Sequence, residues 1–205
     1  MTKIKLCGLR RSEDILIANA LIPDYIGFVF AKNRTRTVSR EEAEELKKLL
    51  IPKIKAVGVF INENPETVAS LLNDGIIDLA QLHGDEDNDY IRKLRSLTDK
   101  QIIKAYKIKA DDNFFDINNS LADYILLDSG TGSGRVFDWE LLKNIKRPYF
   151  LAGGLNCANV EEAILTLSPF AVDVSSGIET DGFKDKDKMR KFVELVKKCD
   201  SIKRY

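Results

Sequence analysis

Four side chains able to do chemistry, Cys7, Arg36, His83 and Asp128, stand at or just beyond the ends of short apolar runs. As a thiolate, Cys7 can take a proton, and a desolvated Asp128 can keep one to give, so together they make a general base and a general acid. A lone cysteine is more often a buried, inert thiol. Its place after Lys3-Ile4-Lys5-Leu6 argues otherwise. Period-two alternation puts Lys5 on the same face, where an ammonium favours the thiolate unless Asp173 neutralises it. An aspartate after Ile125-Leu126-Leu127 commonly caps a turn. The glycine-rich segment Ser129 to Gly134 that follows suits a loop closing over a ligand, with Gly132 and Gly134 on the substrate side. Arg36 lies in a basic loop, Lys32 to Val38, and a guanidinium grips a planar carboxylate through two hydrogen bonds; Arg34 competes for that role. His83 is the single histidine, which argues against a multi-histidine metal site and leaves a substrate-side role open.

A second constellation lies between Leu151 and Glu179. One apolar run ends in Gly153-Gly154, and a second, a helix-length segment later, ends in Ser175-Ser176-Gly177. Small residues let a ligand approach backbone N–H groups, and successive N–H groups form anion-binding concavities. Either pair alone would signify only a turn. Side by side, Gly153, Gly154, Ser176 and Gly177 suit a phosphate.

The elements needed to gather these residues are legible in the patterning. Strands are expected over Ile4 to Cys7, Tyr25 to Phe30, Ala56 to Phe60, Leu79 to Leu82, Gln101 to Tyr106, Tyr124 to Leu127, Leu151 onward and Phe170 to Val174. Helix signals fall between them. Ser12 reads as an N-cap, Ser39 with Glu42 as a capping box, and Asn64-Pro65 as a cap followed by a proline at the first helical position. Asp87 to Leu97 and Asp138 to about Ile145 complete the better signals, whereas Ala110 to Asn119, rich in Asp and Asn, is helical only because a crossover is needed. After a charged loop, Lys186 to Lys198 is amphipathic, with Met189, Phe192, Val193 and Val196 on one side. Eight strand and helix alternations imply parallel strands and an α/β, single-domain (β/α)8 TIM barrel. An open doubly wound sheet would carry a glycine fingerprint after its first strand, where this chain has Cys7-Gly8-Leu9-Arg10. In a barrel all the candidate residues share the C-terminal face, and the two small-residue turns follow strands seven and eight, where phosphates bind.

The totals narrow the partners. Lys plus Arg and Asp plus Glu both number 32 in 205 residues, so bulk charge favours neither nucleic acid nor an anionic membrane. No segment has the length of a signal peptide's apolar core or a membrane span, so a cytoplasmic protein acting on a small molecule is expected. Cys7, Cys157 and Cys199 are too scattered for a disulfide framework. Oligomeric state, monomer or homodimer, stays open.

Taken in order, Lys5-Leu6-Cys7-Gly8, Gly27-Phe28-Val29-Phe30, Arg36 to Ser39, Val57-Gly58-Val59-Phe60, Gln81-Leu82-His83-Gly84, Leu127-Asp128-Ser129, Gly132-Ser133-Gly134, Phe137-Asp138-Trp139, Gly153-Gly154-Leu155-Asn156 and Asp173 to Gly177 resemble the phosphoribosylanthranilate isomerases of tryptophan biosynthesis. The resemblance implies a metal-free, cofactor-free Amadori rearrangement. It casts Cys7 as base, Asp128 as acid, Arg36 as the anchor of the anthranilate carboxylate, and the two small-residue turns as the phosphate cradle. Leu6, Leu9-Arg10, Thr131 and Cys157 depart from that family's commoner residues. A metal-dependent pentose-phosphate epimerase and a non-catalytic sugar-phosphate-binding barrel are the rival readings.

Overall fold

The computed structural model of the chain describes residues 1–31, 35–108, 114–128, 142 and 145–202. Eight parallel strands, β1 Lys3–Cys7, β2 Tyr25–Val29, β3 Lys55–Phe60, β4 Leu79–Leu82, β5 Gln101–Lys107, β6 Tyr124–Asp128, β7 Tyr149–Ala152 and β8 Ala171–Val174, are hydrogen-bonded in sequence order. The barrel closes where β1 meets β8, with Lys5 opposite Asp173. The expected strands are therefore all present, and β7 begins two residues earlier than the apolar run suggested.

Helices cross between the strands for local reasons that the residues supply. In α2 (Arg40–Leu49) the Ser39 N–H donates to Glu42 Oε2 at 2.7 Å and Ser39 Oγ accepts from the Glu42 N–H at 3.1 Å, a reciprocal capping box. In α3 (Pro65–Asn73) Asn64 Oδ1 accepts from the Glu66 N–H while Pro65 occupies the first helical position. The reading of Ser12 as an N-cap needs correcting. Ser12 begins α1 (Ser12–Leu21), and buried Asp14 caps the turn by accepting from the Arg10 and Arg11 N–H groups at 3.1 Å. A carboxylate with two free N–H groups in reach displaces the hydroxyl from the role.

α4 (Asn88–Leu97) follows its Asp87 cap, and α5 is Phe115–Asn118; positions 110–113 of the crossover expected over Ala110 to Asn119 lie outside the described residues. The loop Ser129 to Gly134, with Gly132, Gly134 and Thr131, and most of the helix expected over Asp138 to Ile145 lie outside the described residues, as does Arg34. α6 is Val160–Leu167. The charged loop after β8 contains structure of its own: a three-residue 3-10 turn, Ser176–Ile178, then an antiparallel hairpin of β9 Glu179–Thr180 and β10 Phe183–Lys184. α7 (Lys186–Ile202) closes the chain, with Met189, Phe192, Val193 and Val196 all buried as its spacing predicts. Among the described residues no helix is long and apolar enough to cross a membrane.

The core has two parts, and the smaller one positions the site. Between barrel and helices lies the larger cluster, with Leu6, Ile26, Phe60, Leu82, Ile125 and Phe192 among its members. Inside the barrel Tyr25, Val57, Leu79, Ile103, Leu126, Phe150 and Ala171 form a plug, and Tyr25, Tyr124 and Phe170 each pack a ring 5.4 to 5.8 Å from that of Phe150. Successive inward positions on one strand are two residues apart. Counting on by twos from the plug gives Val59, Gln81 and then His83, Lys107, Asp128, Ala152 and then Gly154, and Asp173 and then Ser175. The functional end of the barrel is thus the next layer of the same inward faces.

Candidate active site

That layer borders a cavity of about 430 Å³ at the C-terminal ends of the strands, lined by Cys7, Arg36, His83, Asp128, Gly153, Gly154 and Ser176, together with Gln81, Lys107, Asp173 and Ser175. Every described residue proposed from the sequence to act on or bind substrate therefore faces one space, except Gly177. A Cβ on Gly177 would fall 2.0 Å from the Leu155 carbonyl oxygen, so this glycine lets the β8 loop press against the β7 loop rather than lining the cavity. Cys157 is also outside the lining; its thiol lies over the Lys188 carbonyl at 3.6 Å. A larger depression of about 780 Å³ adjoins the cavity and shares His83 and Lys107 with it, but Asp85, Asp87, Asp89 and Asp116 rim it and Cys7 is absent. Arg92, Lys104 and Lys107 only partly offset the acidic residues of the larger space, whereas Arg36 and Lys107 balance Asp128 and Asp173 in the smaller, so an anionic ligand is opposed less in the smaller space.

Cys7 ends β1, and its sulfur lies where a neighbouring side chain would otherwise be: a Cβ on Gly27, its register partner on β2, would come within 2.6 Å of Sγ. Two residues back, fully buried Lys5 donates from Nζ to Asp173 Oδ2 at 2.9 Å. Both alternatives open in the sequence are realised, since Lys5 shares the face of Cys7 and is also paired with Asp173. Burial pushes the Lys5 ammonium down, but Asp173 and Cys7 outweigh it and its pKa is raised. The thiol behaves oppositely to the simple expectation. Burial raises the Cys7 pKa more than Lys5 and Lys184 lower it, and Asp173 adds to the rise, so the free site holds a thiol at neutral pH. Asp173 Oδ1 is buried with no hydrogen-bond partner among the described residues, which leaves a bare acceptor beside the cavity.

Across the mouth, Asp128 ends β6 with His83 Nε2 3.3 Å from its Oδ2. Gln81 Nε2 lies 2.9 Å from His83 Nδ1. With the amide nitrogen donating to Nδ1, the imidazole carries its proton on Nε2 and offers it to Asp128. Gln81 and this orientation of the ring were not read from the sequence, although the period-two step from Leu79 puts Gln81 and His83 on one inward face.

Arg36 is engaged from one side. Its Nε and Nη2 donate to Glu179 Oε1 and Oε2 at 2.7 and 2.6 Å, and Lys184 Nζ donates to the same Oε1 at 2.6 Å. Burial alone would raise the Glu179 carboxyl, but the hydrogen bonds from Arg36 and Lys184 prevail and hold it down to about 2. Burial carries Lys184 below the ordinary lysine value despite Glu179. Neither Glu179 nor Lys184 was singled out in the sequence. The signal was present as Asp181-Gly182, a strong two-residue hairpin turn whose residues have φ of 52° and 78° here. The hairpin sets Glu179 and Lys184 directly opposite each other. Among the described residues no group of three or more His, Cys, Asp or Glu is placed to hold a metal ion.

A closed parallel barrel that gathers a thiol, a carboxyl and a guanidinium around one cavity at the C-terminal strand ends is an arrangement of the (β/α)8 enzyme class. A sequence model described as N-(5'phosphoribosyl)anthranilate (PRA) isomerase matches residues 4–195. The N-(5'-phosphoribosyl)anthranilate isomerase of Acetivibrio thermocellus is 45% identical over 214 residues, covering 98% of each chain. The crystal structure of phosphoribosyl anthranilate isomerase from Thermotoga maritima superposes with a TM-score of 0.85 at 36% identity, over 97% of this chain and all of that one. A further isomerase structure, solved in complex with reduced 1-(o-carboxyphenylamino)-1-deoxyribulose 5-phosphate, matches at 0.82 and 35% over 97% and 100% of the two chains. The chain belongs to the N-(5'-phosphoribosyl)anthranilate isomerase family.

Proposed function

We propose that this chain performs its family's reaction, the Amadori rearrangement of N-(5-phosphoribosyl)anthranilate to 1-(2-carboxyphenylamino)-1-deoxyribulose 5-phosphate in tryptophan biosynthesis, with Asp128 as general acid and Cys7 as general base. The observation that carries the assignment is that these two groups face one cavity that Gly153, Gly154, Ser176 and Arg36 also line. A phosphate at the small-residue loops and a carboxylate at the guanidinium fix the two ends of the substrate. The ribose then lies between acid and base.

Protonated Asp128 delivers its proton to the furanose ring oxygen, the C1–O bond breaks, and the nitrogen lone pair forms the Schiff base. Cys7, a thiol in the free site, gives its proton to solvent, and the thiolate then removes the proton on C2; the electron pair left behind neutralises the iminium as an enolamine. The enolamine becomes the ketone as its C2 hydroxyl gives up a proton and C1 gains one. Solvent returns the proton to Asp128, and Cys7 ends as the thiol it was. The His83 Nε2–H, 3.3 Å from Oδ2, stabilises the carboxylate that proton delivery leaves. Incubation with phosphoribosylanthranilate tests the reading: its fluorescence should decay with and without chelator, and persistence of the substrate would leave a binding barrel instead.

Because Arg36 is assigned to the carboxylate end, Arg36→Met is expected to raise KM about tenfold or more and leave kcat within a few-fold. Steady-state kinetics decide this, and an unchanged KM transfers the role to another cation.

The ionisation of Cys7 is a second check. In a Cys157→Ser/Cys199→Ala background, the pH dependence of iodoacetamide alkylation should show Cys7 titrating above the ordinary thiol value of 9.0. Lys5, Lys184, Asp173 and Arg36 are the charges around the sulfur. Removing an anion stabilises the thiolate, so Asp173→Asn should move the titration to lower pH. Removing a cation does the reverse, so Lys184→Met should move it higher. A common direction in both variants contradicts the arrangement.

A further inference from the structure

Glu179 has no part in the chemistry above, yet it accepts hydrogen bonds of 2.6 to 2.7 Å from both Arg36 and Lys184. A guanidinium carries five N–H donors. Glu179 takes the side formed by Nε and Nη2, and the outer fork of Nη1 and the second Nη2 hydrogen makes no further hydrogen bond among the described residues. The rest of Arg36 is held as firmly. Its stem runs over Gly8, where a Cβ would meet Cδ at 2.5 Å, and the adjacent Thr37 bridges to Val29 and donates its hydroxyl to the Ala31 carbonyl at 2.6 Å.

We propose that Glu179 is a positioning residue that locks Arg36 side-on, so that its outer fork meets the substrate's aryl carboxylate, and that the β9–β10 hairpin thereby selects carboxylate-bearing aryl amines. The inference rests on the assignment of Arg36 to that carboxylate. Glu179 stays in place when substrate binds because it is also the counterion of Lys184. The Lys184 side chain is 1% exposed and further anchored to the Ser175 carbonyl at 3.0 Å. Displacing Glu179 would strand a buried ammonium, which is more costly than offering the substrate the free fork. Two carboxylates on one guanidinium are tolerable because Lys184 supplies the second positive charge.

The test compares N-(5-phosphoribosyl)anthranilate with N-(5-phosphoribosyl)aniline, which lacks the carboxylate, in Glu179→Gln, Glu179→Asp and Arg36→Met variants. Glu179→Gln should raise KM for the anthranilate substrate about tenfold, leave kcat within a few-fold and leave KM for the aniline substrate unchanged. Glu179→Asp, which keeps the charge with a shorter reach, should recover part of the loss. If Glu179→Gln proves unstable, Glu179→Gln/Lys184→Met removes the stranded ammonium and should show the same selective loss. Equal changes in KM for both substrates would mean a merely structural role, and no change would mean none; either overturns the proposal. Should Arg36→Met raise KM selectively while Glu179→Gln does not, the proposal alone fails. An anthranilate KM untouched by Arg36→Met removes the assignment of Arg36, and the role of Glu179 with it.

Discussion

Cys7→Ser is expected to lower kcat by about 10²- to 10⁴-fold, the range for losing a positioned general base, while KM stays within a few-fold and the protein remains folded. The serine hydroxyl keeps nearly the shape of the thiol, so the space beside Gly27 stays filled. What it loses is acidity. Even with Lys5 two residues away on the same face, an alcohol does not ionise within the stability range of a protein, whereas a thiol does despite the burial that raises its pKa. Cys7→Ala should be equally slow and destabilised by roughly 1 kcal/mol, because it removes one atom at the margin of a cavity that already exists. Saturating kinetics and a thermal melt on each variant separate chemistry from folding. An inert structural thiol would tolerate serine, so near-normal turnover in that variant would take Cys7 out of the reaction.

The contrast between Cys7 and Glu179 shows what a sequence discloses of such a site. Cys7, His83 and Asp128 were legible because each sits at a strand end, and strands in a barrel are short apolar runs whose period-two step places every second residue inward. The same arithmetic extends to Gln81, Lys107 and Ser175, and it follows from local geometry alone. Glu179 was not legible in that way. Its role is set by an ion pair to Arg36, 143 positions away, and by a two-residue hairpin whose strands are too short to show alternation. Ionisation was the other blind spot. Proximity of Lys5 to Cys7 follows from parity, but whether an ammonium or desolvation governs the thiol depends on burial and on Asp173, which the fold brings from the far end of the chain. Helix starts were readable where the cap is the residue just before the helix, at Ser39 and Asn64. The first helix misled because Asp14, inside the turn, reaches two backbone N–H groups at once.

Asp128→Asn should lower kcat by about 10²- to 10⁴-fold with little change in KM, because the amide keeps the shape and the contact to His83 but has no acidic proton to give. Combining it with Cys7→Ser distinguishes successive roles from joint action in one transition state. In the proposed sequence Asp128 acts on ring opening, and its loss raises that barrier without altering the Schiff base. Cys7 acts on the next barrier only. The overall rate is then governed by whichever barrier is higher, so the double variant should turn over about as slowly as the slower single variant. If both groups worked on a single transition state as independent contributors, the two losses would multiply, to roughly 10⁴- to 10⁸-fold. The placement of the two groups favours the first outcome. They end β1 and β6, strands that do not pair with each other, so each faces the cavity from its own part of the rim. A multiplicative loss would require acid and base to act in concert, with C2 losing its proton as the ring opens.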